Sequence, residues 1–305
     1  MNTIAIALHG GAGDRDRSAT TPDNERELTD SIAEARETGY MILEQGGTAV
    51  DAIEAAIRIM ELQPCFNAGV GGALNTDGEV ELDAGIIDGA THVTGAVIGV
   101  QRIKHPITMA RYIMEHTPHV ALTKRGAELL AESIGVEMVE KEFFLTDETV
   151  RLLHRMQEKE QAATQGEGKV VLGTVGAVAL DRFGNMAAAN STGGIMNKRI
   201  GRVGDAPMNG AGMFAHNGIG AVAATGYGEF FVRTVAAHEI IAQMRYCNTT
   251  VDVACMNVLS EIESLGGRGG LIALDAHGTV VMPFTTTSMV RATRTSHGII
   301  TADVW

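Results

Sequence analysis

Gly173 and Thr174 join a polar, glycine-containing segment to an apolar one, within GKVVLGTVGAVALDRFGNMAAANSTGG at residues 168–194. A threonine hydroxyl is a weak nucleophile unless a nearby base takes its proton. If the Gly173–Thr174 bond were cut, the new α-amine of Thr174, with an ordinary pKa of about 7.7–8.0, would be that base. Glycine has no Cβ, so its carbonyl is open to attack by the Thr174 hydroxyl. The same pattern also fits an ordinary turn followed by a β-branched strand residue.

Hydrophobic periodicity predicts the elements that would position this pair. Predicted strands lie near residues 3–8, 79–88, 92–101, 174–181, 186–194 and 219–226 and in a hairpin at 270–284. Predicted helices lie near 21–45, 48–61, 106–115, 123–134, 147–158, 229–245 and 250–264. Strands come in hairpins and helices in consecutive pairs, without regular βαβ alternation. We therefore expect an α+β protein, with antiparallel-rich sheets stacked between helical layers in one domain over 1–305.

One segment interrupts this pattern. Residues 156–169, MQEKEQAATQGEGK, have almost no apolar side chains. Such a composition cannot compensate for ordering by burial. It predicts a solvated, flexible linker between the two halves of the chain.

Composition and charge exclude several classes of partner. The net charge is -13 with 24 basic residues spread along the chain, so neither nucleic acid nor an anionic membrane is an expected partner. Apolar runs end well before about 18 residues, and the first residues lack a basic region, so we expect a cytoplasmic protein. Cys65, Cys247 and Cys255 have no paired spacing, which argues against disulfides or a zinc site.

The histidines do not indicate a catalytic transition metal. There is no H-E-x-x-H motif among them, and Pro118 separates His116 from His119. HGGAG at 9–13 lacks the remaining features of a phosphate or dinucleotide loop. We expect its glycines to let a loop pass close to the active site, and His9 to be a packed, hydrogen-bonded residue.

Five segments together carry a resemblance to the plant-type L-asparaginase and isoaspartyl dipeptidase family of N-terminal-nucleophile hydrolases. They are HGGAG at 9–13, CFNAGVGGALNTDGEVELDAGIIDG at 65–89, GTVGAVALDRFGNMAAANSTGG at 173–194, GRVGDAPMNGAG at 201–212 and ATGYGE at 224–229. The resemblance implies a four-layer αββα sandwich. It also implies a precursor that cleaves itself between Gly173 and Thr174, giving an α chain of residues 1–173 and a β chain of residues 174–305.

The same resemblance implies a set of catalytic residues. Thr174 would be the nucleophile, with its own amine as the base, and Thr192 would hydrogen-bond to it; the alternative for Thr192 is an ordinary strand residue. Thr225 and Gly226 would form the oxyanion hole through a hydroxyl and a backbone N–H. Donors of this kind contribute about 3–4 kcal/mol each.

Substrate-binding residues follow from the resemblance as well. Arg202 would bind an α-carboxylate with two parallel hydrogen bonds, and Asp205 would hold an α-ammonium. Outside this motif the same pair would be read as a surface ion pair. Asn67 would help to position nucleophile and substrate, its alternative being a turn-capping asparagine. Gly228 completes the implied set.

The resemblance further implies that no cofactor is required. It suggests a structural sodium ion, bound by main-chain carbonyls of the loop that contains Met60, Glu61, Gln63, Phe66, Ala68 and Val70. It also suggests self-association as a dimer of αβ heterodimers.

The implied activity is hydrolysis of small molecules, namely β-aspartyl dipeptides and the side-chain amide of L-asparagine, with release of L-aspartate. Alternatives are a glycosylasparaginase, a threonine protease of the same superfamily, or a non-catalytic amino-acid-binding protein. Tyr227 stands where relatives commonly have threonine, Asn190 departs from the usual TSTGG, and FTTTSMVRA near the carboxy terminus is atypical. These departures leave the preferred substrate open.

Overall fold

The computed structural model describes residues 3–162 and 173–305. The described helices are α1 (Pro22–Glu44), α2 (Ala49–Met60), α3 (Pro106–His116), α4 (Lys124–Ser133), α5 (Asp147–Ala162), α6 (Gly228–Thr234), α7 (Ala236–Cys247) and α8 (Val251–Ser264). The strands are β1 (Ala5–Gly13), β2 (Leu82–Asp88), β3 (Thr94–Val100), β4 (Ala121–Thr123), β5 (Val175–Leu180), β6 (Met186–Thr192), β7 (Met213–His216), β8 (Gly220–Gly226), β9 (Gly269–Asp275), β10 (Val280–Val281), β11 (Ser288–Thr295) and β12 (Ile300–Asp303). None of these helices is long and apolar enough to cross a bilayer.

The strands form two sheets. An eight-stranded sheet has the order β12-β11-β1-β5-β6-β2-β3-β4, and a four-stranded sheet has the order β10-β9-β8-β7. The β3–β4 pair is parallel, whereas the other paired strands run antiparallel. Thr174 directly precedes β5 and Thr192 ends β6, both in the larger sheet, whereas Thr225 lies on β8 in the smaller sheet.

Alternation of side chains along the strands produces the layers. Ile6 and Leu8 of β1 belong to the core between the larger sheet and helices α1 to α5, while the intervening Ala5 and Ala7 belong to the core between the two sheets. On the outer side of the smaller sheet, Val222 and its neighbours pack against helices α6 to α8. This arrangement is the four-layer αββα sandwich, so the predicted fold class is confirmed.

Local sequence signals account for the first two helices. Thr21 caps α1 by accepting a hydrogen bond from the backbone of Asn24. Thr48 and Asp51 form a reciprocal capping box at the start of α2. Gly46, at φ 91°, separates the two helices, since this left-handed backbone conformation favours glycine.

The HGGAG segment was expected to be a loop, and that expectation is wrong. It continues β1 to Gly13 and pairs with β11 through a bulge between His9 and Ala12. Because β11 lies more than 270 residues later in the chain, no local pattern signals this pairing. Strands β4, β7, β11 and β12 were also not predicted.

Two helix boundaries differ from the sequence-based expectation. The helix expected at 229–245 is two helices, which meet at Val235 with φ 49°. Helix α5 continues to Ala162, so residues 156–162 of the expected linker are helical, and Met156 is buried against the core on the helical side. Packing of one apolar face maintains a helix through an otherwise polar segment. Residues 163–169 of that linker lie outside the described residues.

Candidate active site

Thr174 immediately precedes β5, and Thr192 ends the neighbouring strand β6. Because Val175 pairs with Ser191 in the antiparallel ladder, the two threonines lie opposite each other at its end. The Thr174 Oγ1 donates a hydrogen bond to Thr192 Oγ1 at 3.2 Å. Both side chains are buried. The two hydroxyls therefore share one face of the larger sheet, the face that looks toward the smaller one.

Strand β1 passes directly beside the predicted cleavage point. A Cβ on Gly173 would lie 2.1 Å from the Cα of Gly11, and a Cβ on Gly11 would lie 2.5 Å from the Cα of Gly173. Neither position has room for a side chain. These glycines therefore let β1 approach the predicted cleavage point closely, although the segment is a strand rather than the expected loop.

His9 of the same strand is fully buried, and its Nδ1 donates to the backbone oxygen of Thr174 at 2.9 Å. Burial lowers the pKa of His9 to about 4, and the hydrogen bond to Thr174 only partly opposes it. The ring is therefore neutral near pH 7. His9 is a packed, hydrogen-bonded residue, as predicted.

Thr225 and Gly226 end β8 in the smaller sheet. The hydroxyl oxygen of Thr225 accepts a hydrogen bond from the backbone N–H of Ala12 at 3.2 Å, and a threonine hydroxyl can also donate its own proton. Since Ala12 follows Gly11, this contact brings Thr225 close to Gly173. Gly226 has φ 148°, and a Cβ there would lie 2.5 Å from the Arg268 oxygen.

Asn67 holds the glycine turn that follows Thr192. Its Nδ2 donates to the Gly194 oxygen at 2.6 Å, and its own backbone oxygen accepts from the N–H of Gly193 at 3.2 Å. The N–H of Gly194 in turn donates to Thr192 Oγ1 at 2.9 Å. Asn67 is therefore linked to Thr174 through this turn and through Thr192.

Arg202 pairs with Glu229, so the surface ion pair with Asp205 that the sequence would suggest outside this motif does not form. Its Nε and Nη2 donate to the two carboxylate oxygens of Glu229, each at 2.9 Å, rather than to Asp205. Sequence reasoning missed Glu229. The signal available was its place at the end of the ATGYGE motif, one residue after Gly228.

Asp205 is buried, and its Oδ2 has no hydrogen-bond partner among the described residues. Burial raises the pKa of Asp205 to about 7, although the positive charge of Arg202 opposes this shift. The first residue of α6, Gly228, lies against it, since a Cβ there would be 2.6 Å from Asp205 Oδ1. A buried carboxylate with an oxygen that lacks a hydrogen-bond partner is suited to receive a small cation such as an ammonium group.

The loop at residues 60–70 folds tightly around its own carbonyl groups. A Cβ on Gly69 would lie 2.2 Å from the Glu61 oxygen, and one on Gly71 would lie 2.6 Å from the Pro64 oxygen. The carbonyls of Met60, Glu61 and Gln63 each accept one backbone hydrogen bond and keep a second lone pair. Main-chain oxygens of this kind suit a sodium ion. In the described part of the chain, no cluster of three or more His, Cys, Asp or Glu could hold a metal.

Asn190 and Tyr227 are the two residues that depart from the motifs on which the family resemblance depends. The Nδ2 of Asn190 donates to the Gly212 oxygen at 2.7 Å and so ties the larger sheet to the segment before β7. Tyr227 precedes α6 and lies between Gly226 and Gly228 in the chain. Of the two, only Tyr227 belongs to the segment that carries Thr225, Gly226 and Gly228.

Comparison with known proteins supplies the family. The family profile described as asparaginase matches residues 2–303. The isoaspartyl peptidase of Salmonella typhimurium is 43% identical over 298 residues, which cover 96% of this chain and 95% of that protein. That of Escherichia coli is 43% identical, covering 96% and 93%. The human isoaspartyl peptidase/L-asparaginase is 42% identical, covering 95% and 92%. With this agreement along nearly its whole length, the chain belongs to the asparaginase family.

Proposed function

We propose that this protein is a self-processing amidohydrolase that cleaves β-aspartyl dipeptides and the side-chain amide of L-asparagine, releasing L-aspartate. The names of its relatives support this substrate class. The observation that carries the chemistry is the buried hydrogen bond from Thr174 to Thr192, directly after a glycine that β1 encloses.

Maturation would precede catalysis. The Thr174 hydroxyl attacks the Gly173 carbonyl, the C–N bond breaks, and the amide becomes an ester on the Thr174 oxygen while the nitrogen gains the proton. Water then hydrolyses the ester. The products are an α chain that ends in the carboxylate of Gly173 and a β chain that begins with the free amine of Thr174.

In the mature enzyme, the Thr174 amine takes the hydroxyl proton as the oxygen attacks the substrate carbonyl. Thr225, through its free hydroxyl proton, and Gly226, through its N–H, stabilise the oxyanion. The amine then gives its proton to the departing nitrogen, which leaves an aspartyl ester on Thr174. Hydrolysis of this ester by water releases L-aspartate.

Two charged side chains would select the substrate. Arg202 binds the α-carboxylate, and its pairing with Glu229 fixes the plane of the guanidinium. Asp205 binds the α-ammonium, and the incoming charge replaces the partner that its Oδ2 lacks. This pair requires an aspartyl group with both α substituents free.

Three further properties belong to the proposal. The loop at 60–70 binds sodium through main-chain oxygens, no other cofactor is required, and the mature protein is a dimer of αβ heterodimers. We also assign it to the cytoplasm, which its free Cys65, Cys247 and Cys255 support. A higher melting temperature in sodium chloride than in choline chloride of equal strength is expected, and equal values would contradict the sodium site.

Mass spectrometry of the purified protein tests the core of the proposal. Wild-type protein is expected as fragments of 173 and 132 residues, the second beginning at Thr174, whereas Thr174→Ala remains one chain of 305 residues. An uncut wild-type chain that hydrolyses β-aspartyl peptides at full rate would refute the mechanism. An uncut chain that only binds aspartate would favour an amino-acid-binding protein. Parallel assays with glycosylated asparagine separate the glycosylasparaginase alternative.

A further inference from the structure

Behind the nucleophile lies a buried lysine that the mechanism above does not use. Lys198 is only 2% exposed. Its Nζ donates to two backbone oxygens, that of Glu81 at 2.6 Å and that of Gly193 at 2.9 Å. The Glu81 oxygen lies immediately before β2, the strand that pairs with β6, and the Gly193 oxygen lies in the turn after Thr192.

The surroundings explain how an ammonium group is tolerated there. Burial lowers the pKa of Lys198, and the negative charges of Asp83 and Glu81 oppose that shift. Asp83 is the cross-strand partner of Thr192 in the β2–β6 ladder. A buried charge is retained only when hydrogen bonds and counter-charges compensate for its lost hydration. Two hydrogen bonds and two nearby negative charges therefore hold the ammonium group of Lys198 in place.

The connection to the nucleophile runs through a single peptide unit. The carbonyl that Lys198 holds and the N–H that donates to Thr192 Oγ1 at 2.9 Å belong to the same Gly193–Gly194 peptide. This unit is planar, so fixing its oxygen also fixes the direction of its N–H. A cation on the carbonyl also polarises the peptide and strengthens the donor at its other end.

We propose that Lys198 is a positioning residue, which orients the Thr192 hydroxyl through the Gly193–Gly194 peptide and thereby holds the nucleophile Thr174 for both self-cleavage and hydrolysis. The inference rests on the proposed function. The chemistry of Lys198 is confined to hydrogen bonding, since its Nζ atom donates to backbone oxygens.

The test compares Lys198→Met and Lys198→Gln with Lys124→Met. Lys124 belongs to the same charge network, where it pairs with the Glu81 carboxylate at 2.7 Å, but it does not bond to Gly193. The assays are the half-time of precursor cleavage and the kcat and KM for a β-aspartyl dipeptide, with kcat normalised to chains that begin at Thr174. Melting temperatures are measured in parallel.

For Lys198→Met we expect slower cleavage and a kcat about 3- to 10-fold lower, which stays within the loss expected when the Thr192 hydroxyl itself is removed, with KM within about threefold of wild type. Lys198→Gln, which retains a shorter donor, is expected to fall between Met and wild type. Lys124→Met is expected to keep kcat within about twofold, whatever its melting temperature.

Three outcomes would overturn the inference about Lys198 and leave the proposed function intact. The first is a normal kcat per mature site in Lys198→Met despite a lower melting temperature, which would make the lysine purely structural. If Lys198→Met does not fold, the second is a normal kcat in Lys198→Gln. The third is an equal loss of kcat in Lys124→Met, which would assign the effect to charge. A wild-type chain that is active without being cleaved would instead overturn the proposed function.

Discussion

The pKa of Asp205 provides a test of the proposal that this carboxylate binds the α-ammonium group of the substrate. Burial raises the pKa of Asp205 to about 7, and its Oδ2 has no partner among the described residues. Only the ionised carboxylate attracts a cation, so binding of L-aspartate must be accompanied by loss of the carboxyl proton below that pH. With a pKa of about 7, roughly one molecule in ten is ionised at pH 6, which weakens affinity about tenfold, or by about 1.4 kcal/mol.

Isothermal titration calorimetry of the mature enzyme measures both quantities. The Kd for L-aspartate is expected to rise about tenfold between pH 8 and pH 6, and about half a proton should be released per ligand at pH 7. N-acetyl-L-aspartate, which lacks the ammonium group, serves as the ligand control. Its binding should show no such release from Asp205.

The matched variant is Asp205→Asn, which keeps the shape and removes the titrating group. It should bind L-aspartate about 10- to 150-fold more weakly at pH 8. This range corresponds to the loss of a charge-assisted hydrogen bond that contributes roughly 1.5–3 kcal/mol. Any proton linkage that remains in this variant belongs to the Thr174 amine. A Kd for wild type that stays constant from pH 5 to pH 8, without proton release, would refute the assignment of Asp205 to the ammonium group.

Three further predictions concern catalysis, maturation and stability, in that order. Replacing Thr192 with valine removes a neutral hydrogen bond to the nucleophile and should lower kcat about 2- to 15-fold, from a net 0.5–1.5 kcal/mol; an unchanged kcat in the cleaved enzyme would contradict its role. Gly11→Ala should block cleavage on a denaturing gel, because its Cβ would lie 2.5 Å from Gly173 Cα, whereas Gly126→Ala on α4, with nothing within 4 Å, should cleave normally. Folding raises the pKa of Asp205 from 3.8 to about 7, so its ionisation penalty grows between these pH values and is complete above pH 7, at roughly 4 kcal/mol. Asp205→Asn should therefore gain melting temperature over wild type at pH 8 and much less at pH 4; an equal difference at both would contradict the shift.

Much of the fold was predictable because its signals are local. The first helix follows from apolar residues at helical spacing between a capping threonine and paired glycines, and α2 follows from a capping box. The hairpin of β5 and β6 follows from two apolar runs around RFGN. Strand β11 had no such local signal, since its position is defined by its pairing with the distant strand β1.

The candidate site was likewise predictable only in part. Residue types and their motif context single out Thr174, Thr192, Arg202 and Asp205, because only certain side chains perform a given chemistry. They did not indicate that Arg202 pairs with Glu229, since in isolation two residues 27 positions apart carry no sign of contact.

The sequence by itself determined the chemical groups available to this protein, the layered α+β class, and the helices whose caps and periodicity are local. Only the tertiary structure decided which of those groups meet. The Ala12 N–H donates to Thr225 across 213 positions of chain, and Lys198 donates to the backbone oxygen of Glu81 across 117. Such contacts depend on how two sheets pack face to face, and packing is a property of the whole fold rather than of any segment.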